Sequence, residues 1–233
     1  MSLDSPEKSS ATPTSFGRNL ALLFGASITV GSLFVAPFLL VPYLPRRFFG
    51  ALPYYPTSPR RIRAVFDSLP KRYVSQGGTF IDLGSGDGVA VLEAARRGLL
   101  SRGVELNPTL VLISKWRAFL AAHSIRKNHG TCEFTNGNLF DFDISGNEAE
   151  PMTIMIFGVV PIMKKVGEKI VNEAPENVIV LSHKFQIPEE TGLKEIVVID
   201  DIRIYSRKSH SEAIKKEMLC HSEAIKKEML KMQ

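Results

Sequence analysis

Cysteine is scarce: Cys132 and Cys220 are the two cysteines in 233 residues. That excludes a disulfide framework and a spaced set of zinc ligands, and it points to a reducing compartment. An excess of one charge is also lacking. Lys plus Arg number 29 against 24 for Asp plus Glu, a surplus of 5, too small and too dispersed to predict a nucleic-acid partner but suited to an anionic membrane surface. An arginine-rich, acid-poor mitochondrial presequence is missing from the N-terminus. With 44% hydrophobic residues, the chain can bury one full core and leave some appendages over.

Charge is missing altogether from Asn19 to Pro45, 27 residues dominated by Leu, Ala, Val, Phe and Ile. This exceeds the roughly 20 residues a transmembrane helix needs, although Pro37 would kink or end such a helix. Residues 1–18 are near neutral and expected to be disordered, whereas Arg46, Arg47, Arg60, Arg61, Arg63, Lys71 and Arg72 follow the apolar stretch. The positive-inside bias then places the downstream domain on the cytoplasmic or matrix side. A buried hydrophobic helix is the alternative, and a secretory signal would carry its basic flank on the other side. Residues 46–61, with Pro53, Pro56 and Pro59, are expected to form a stiff linker. Residues 62–207 are read as the catalytic domain and 208–233 as a charged helical tail. At the domain's start, Ile62, Val65, Phe66 and Leu69 recur at helical spacing, for a helix that either covers a cofactor site or packs into the core.

The segment Thr79-Phe-Ile-Asp-Leu-Gly-Ser-Gly-Asp-Gly88 predicts a buried strand, an acid at its end, and a glycine turn opening a helix at Val89. A dinucleotide fingerprint would have a third glycine where Val89 stands. The spacing is instead G-x-G-x-G, and Asp82 precedes the first glycine by two residues. A carboxylate there suits a cation better than a phosphate, which points to the sulfonium and amino group of S-adenosylmethionine. Ser101 to Val104 predicts the next strand, ending at Glu105, where doubly wound folds place a ribose-binding carboxylate. The candidate cofactor residues are therefore Asp82, Gly84, Ser85, Gly86 and Glu105 with its neighbour Leu106. Asp87 is a weak catalytic candidate, with a turn or capping role equally open.

Asn107 and Pro108 begin a predicted helix to about Ala122, with Leu110, Val111, Ile113, Ser114 and Trp116 expected near the cofactor. After a third strand at Thr131 to Thr135, Asn138 with Leu139 is the candidate adenine contact, and Asp141 a second choice. The apolar run Met152 to Phe157 predicts a central strand covered on both faces, and the Gly158-Val-Val-Pro161 loop after it would border the transferred methyl group. A helix at Met163 to Asn172, a strand at Asn177 to Leu181 and a terminal strand pair, Leu193 to Ile199 with Ile202 to Tyr205, complete an α/β, class I, Rossmann-like seven-strand order. His183 is read as structural rather than catalytic.

Three stretches, Ile81-Asp-Leu-Gly-Ser-Gly-Asp-Gly88, Gly103-Val-Glu-Leu-Asn-Pro108 and Ile156-Phe-Gly-Val-Val-Pro161, together with Lys115-Trp-Arg117, resemble a family of membrane-anchored mitochondrial protein lysine methyltransferases. The resemblance covers residues 20 to 206. It implies S-adenosylmethionine as cofactor, the mitochondrial inner membrane as location with the domain facing the matrix, and a membrane-protein substrate. That substrate is the ATP synthase c-subunit or, alternatively, the adenine nucleotide translocase. Two positions depart from the family pattern, Asn138 in place of aspartate and Val89 in place of a basic residue.

A small-molecule or RNA methyltransferase and a non-catalytic adaptor are the competing classes. An RNA enzyme should show a concentrated basic face or an added domain, and an adaptor should have lost Asp82, Glu105 or the glycines. The C-terminus repeats His-Ser-Glu-Ala-Ile-Lys-Lys-Glu-Met-Leu at 210–219 and 221–230. This period of 11 predicts a helix with Ile214, Met218, Ile225, Met229 and Met232 in one stripe and Glu212–Lys216 and Glu223–Lys227 pairs.

Overall fold

The computed structural model describes residues 58–231, with side chains to His221; the candidate membrane segment 19–45 and the repeat positions Ile225, Met229 and Met232 lie outside the described residues or side chains. Among the described residues no helix is long and apolar enough to cross a membrane. The elements are α1 (Pro59–Ser68), α2 (Lys71–Val74), β1 (Thr79–Leu83), α3 (Val89–Arg96), β2 (Leu100–Glu105), α4 (Pro108–Lys127), β3 (Thr131–Asn136), β4 (Met152–Ile156), α5 (Val160–Glu173), β5 (Val178–His183), β6 (Leu193–Ile199), β7 (Ile202–Arg207) and α6 (Ser211–Lys231).

They build one seven-stranded sheet in the order β3-β2-β1-β4-β5-β7-β6. The first five strands are parallel, and β7 runs antiparallel to both β5 and β6. This is the class I order anticipated from the alternation of strands and helices. Residues in β4 and β5 are buried throughout, as central parallel strands covered on both faces require. The edge strand β3 buries Phe134 but exposes most of its other residues. The β6–β7 hairpin turns through Asp200 and Asp201 at φ 47° and 66°, a left-handed pair that aspartate tolerates better than most residues.

Two apolar layers flank the sheet. One joins α1, α3, α4 and α6 through residues such as Ile62, Phe66, Leu92, Ile125 and Ile214; the other places Met163, Val166 and Ile170 of α5 against Ile154 and Val180. Helix α1 begins at Pro59, with proline at the first helical position. It packs Ile62, Val65 and Phe66 into the first layer, and none of its residues lines the cavity at the C-terminal ends of β1 and β2. Of the two roles open to this helix, core packing is the one the structure adopts, because its apolar face meets α3 and α6 rather than the strand ends.

The C-terminal helix turns the start of its apolar stripe inward. Ile214 and Met218 are buried in the core, and Glu212 pairs with Lys194 of β6 at 2.9 Å. Phe66 is 1% exposed and meets Phe80 edge to face at 5.4 Å. Phe66→Ala should lower stability by about 3–5 kcal/mol, read as a shift of the denaturation midpoint. A loss under about 1 kcal/mol would show that α1 is not anchored this way.

Candidate active site

All nine candidate residues, Asp82, Gly84, Ser85, Gly86, Asp87, Glu105, Leu106, Asn138 and Leu139, line one cavity of about 290 Å³ at the C-terminal ends of β1 and β2. Strand ends at the point where a sheet's connections reverse are where doubly wound folds open a crevice, and here β1 pairs with both β2 and β4. The turn between β1 and α3 holds Gly84, Gly86 and Gly88 at φ 92°, 53° and 80°. These values strain any residue with a Cβ, which explains the G-x-G-x-G spacing. Gly88 is also crowded: a Cβ there would sit 2.7 Å from the Phe134 ring and 2.9 Å from Ser114.

The acids are held from the backbone. Glu105 accepts hydrogen bonds from Gly86 N (3.0 Å) and Asn107 N (2.8 Å), so it is oriented by the glycine turn and by the start of α4. Asn107 caps α4 by accepting from Thr109 N at 2.9 Å, with Pro108 next in line. Asp87 forms an ion pair with Arg117 of α4, whose Nη1 also donates to the Asp87 carbonyl at 3.2 Å. The turn role left open for Asp87 is thus visible as a tie between the glycine turn and α4.

Asp82 is 5% exposed. Burial, with the Glu105 and Asp87 carboxylates nearby, pushes its carboxyl from 3.8 up to about 8. Ser85 Oγ is buried and has no hydrogen-bond partner among the described residues. A desolvated acid among acids and an orphaned hydroxyl at the same turn fit a ligand that brings a positive charge and polar groups.

Asn138 lines the cavity rim, with Oδ1 accepting from Phe140 N at 3.1 Å. Asp141 does not line it. Trp116 is a correction: it was expected near the cofactor but is 62% exposed and outside the cavity lining. Helix α4 buries Val111, Ser114, Ala121 and Ile125, and residue 116 falls on the opposite face. Ser114 does serve the site, donating to the Gly86 and Leu110 carbonyls at 3.1 and 2.9 Å. His183 is fully buried, with Nε2 3.2 Å from Arg61 Nη1. Burial and the Arg61 guanidinium hold its pKa below the usual value, so the neutral ring accepts from Arg61, a structural role.

Several contributors escaped sequence reasoning. Asn136 Nδ2 donates to the Glu105 and Leu106 carbonyls at 2.9 and 3.0 Å, pinning the peptide behind the second acid. Gly103 makes room for Ser85, since a Cβ would approach it to 2.8 Å; a glycine inside the β2 pattern was the available sign of that close approach. Met155, Phe157 and Ile162 form apolar lining on the β4 side.

Residues 82–193 match the ANTKMT methyltransferase domain family. An ATP synthase c-subunit lysine N-methyltransferase of Caenorhabditis elegans is 35% identical over 182 residues, 76% of this chain and 88% of that relative. The chain belongs to this family of protein lysine N-methyltransferases. The human ATP synthase c-subunit lysine N-methyltransferase is 29% identical over 79% of this chain and 72% of its own length. A mouse adenine nucleotide translocase lysine N-methyltransferase is 29% identical over 59% of this chain and 55% of its own. Among solved structures, an RNA methyltransferase from Salinibacter ruber in complex with S-adenosyl-L-homocysteine superposes with a TM-score of 0.51 and 25% identity, covering 65% of this chain and 91% of that one. The class I methyltransferase fold and the family resemblance drawn from the three motif stretches are both borne out.

Without a cation alongside, folded Asp82 keeps its proton up to about pH 8, whereas the unfolded chain loses it near about pH 4. Its burial therefore opposes folding increasingly from about pH 4 upward and fully above about pH 8. Asp82→Asn should raise the melting temperature of the ligand-free protein at about pH 8.5 and change it little at about pH 3.5, both values lying about half a unit beyond the window. A cationic ligand reverses the preference. Its binding should release about one proton when measured between these limits, seen by calorimetry in buffers of different ionisation enthalpy. An equal proton release by the Asp82→Asn variant would rule out Asp82 as the group responsible.

Proposed function

We propose that this chain transfers methyl groups from S-adenosylmethionine to a lysine of the ATP synthase c-subunit, at the matrix side of the mitochondrial inner membrane. The observation that carries the cofactor reading is the buried Asp82 beside Glu105 and the orphaned Ser85 hydroxyl at the glycine turn. The substrate reading is supported by the names of the relatives matched over most of their lengths. The membrane reading is supported by the uncharged stretch 19–45 and the arginines after it.

S-adenosylmethionine, when bound, supplies an activated methyl group on a sulfonium. Asp82, Ser85 and the Gly84–Gly86 backbone would hold its amino acid end, Glu105 its ribose hydroxyls, and Asn138 with Leu106 and Leu139 its base. Glu105 is suited to this because its two backbone donors fix the carboxylate while each oxygen keeps further accepting capacity. On the β4 side, Phe157, Met155 and Ile162 exclude water and favour the neutral form of an entering lysine amine. The chain thus acts chiefly by placing a neutral amine in line with the methyl group, from which orientation alone can supply several kcal/mol of the ~7–11 available to such preorganisation. Asp87 is committed to Arg117, and its part in the reaction is to hold the turn.

Mitochondrial membranes lacking this protein, incubated with labelled S-adenosylmethionine and the purified enzyme, should show one small labelled proteolipid band, identified by mass spectrometry as the c-subunit. Asp82→Ala should reduce the label at least about tenfold. A carrier-sized band would move the assignment to the adenine nucleotide translocase. Label confined to small molecules or RNA would overturn the protein-lysine reading.

A further inference from the structure

Helix α4 is apolar on both of its faces. The inner face buries Val111, Ser114, Ala121 and Ile125. The outer face presents Leu112, Trp116, Phe119 and Leu120, each more than half exposed, and the Trp116 and Phe119 rings stack at 5.9 Å. Their spacing of three and four residues makes one continuous stripe. The 20 residues of this helix include Lys115, Arg117, Arg126 and Lys127 and no acid. Such a stripe on a monomer's surface marks a docking site. Stacked Trp and Phe beside Lys115, with Arg126 and Lys127 at the helix end, are the side chains that settle at the headgroup level of a bilayer, where apolar rings are buried and cations meet anionic lipid.

The path of the chain points the same way. Pro59, the first residue of α1, shares a surface hollow with Arg117, Leu120 and Ala121 of α4. The polypeptide therefore enters the described domain beside the stripe. The uncharged segment ends at Pro45, so 13 intervening residues can span at most about 45 Å. A domain held to a bilayer by that segment would be tethered from the side on which this stripe lies. The N-terminal end of the same helix brings the active site with it, because Leu106, which is 58% exposed, and Leu110 both line the cavity.

We infer that the Leu112–Trp116–Phe119–Leu120 face of α4 is a lipid-docking surface that seats the domain on an anionic bilayer and holds the mouth of the methyltransferase cavity at the membrane plane. This rests on the membrane reading of the function but not on the identity of the substrate. It explains why a helix so exposed keeps four large apolar side chains toward water.

Trp116 is the single tryptophan of the chain, so its fluorescence reports on this helix alone, whatever the N-terminal segment does. The full chain is reconstituted into phosphatidylcholine–phosphatidylglycerol vesicles, with acyl-brominated phosphatidylcholine replacing its plain counterpart in a matched set. Emission should shift to the blue and fall by about half or more in the brominated vesicles, as expected for a ring at the acyl–headgroup boundary. The Phe119→Asp, Leu120→Asp double variant should incorporate equally and bind S-adenosylhomocysteine unchanged, yet lose that quenching. Equal emission in brominated and plain vesicles overturns the inference. If Trp116 is then open to aqueous iodide, the face is solvated. If it is shielded, a second copy or the chain's own apolar segment covers it, and a shift produced only by added RNA would assign the face to nucleic acid. Quenching with no labelled c-subunit would sink the substrate assignment alone, and labelled c-subunit without quenching would sink the docking surface alone.

Discussion

Asp82 is desolvated at the end of β1 with Glu105 and Asp87 nearby, and the cost of charging its carboxyl there is the constraint on which the surrounding structure depends. Each acid needs its own support. Asp82 is 5% exposed at the end of β1 and keeps its proton to about pH 8. Glu105 is fixed by two backbone N–H groups, and Asp87 is neutralised by Arg117. Ionising a buried carboxyl of this kind opposes folding unless a cation arrives, so the charge of this site and ligand binding are linked.

The supports tie three elements into one unit. The Gly86 amide reaches from the glycine turn to Glu105, Ser114 reaches back from α4 to the Gly86 carbonyl, and Arg117 closes the same gap one turn later. Helix α4 is thereby the brace of the cofactor turn on one face, while its other face carries an apolar stripe toward the surroundings. A site that holds its ligand through one face of a helix and meets the membrane with the other can keep its mouth at a fixed height above the lipid. That would suit the proposed modification of a lysine at the matrix side of a membrane protein.

Much of this was legible in the residues. A continuous apolar run announced β4 because a strand buried on both faces has no polar side to show. Alternating glycines announced the turn because left-handed backbone excludes side chains, and Pro108 after Asn107 marked a helix start at its residue. Element ends were less legible. Helix α4 continues to Lys127 rather than stopping near Ala122, because nothing after Ala122 breaks a helix before the Asn128–Gly130 turn. The role of Asn136 was not visible, since it acts on residues about 30 positions away, and Gly103 signalled a close approach in β2 without showing that Ser85 is what approaches.

The sequence by itself determined what is local: a strand–acid–glycine turn, the periodicities that set α/β order, and the chemistry of the side chains that would meet a sulfonium. Only the tertiary structure decided what those side chains face. It sent Trp116 outward, turned Asp87 to Arg117, made α1 part of the core rather than a cover, and buried the first turns of the charged tail helix α6. The physical reason is that helical spacing declares which residues share a face, while the neighbour that face meets is settled by packing and charge pairing between segments distant in the chain.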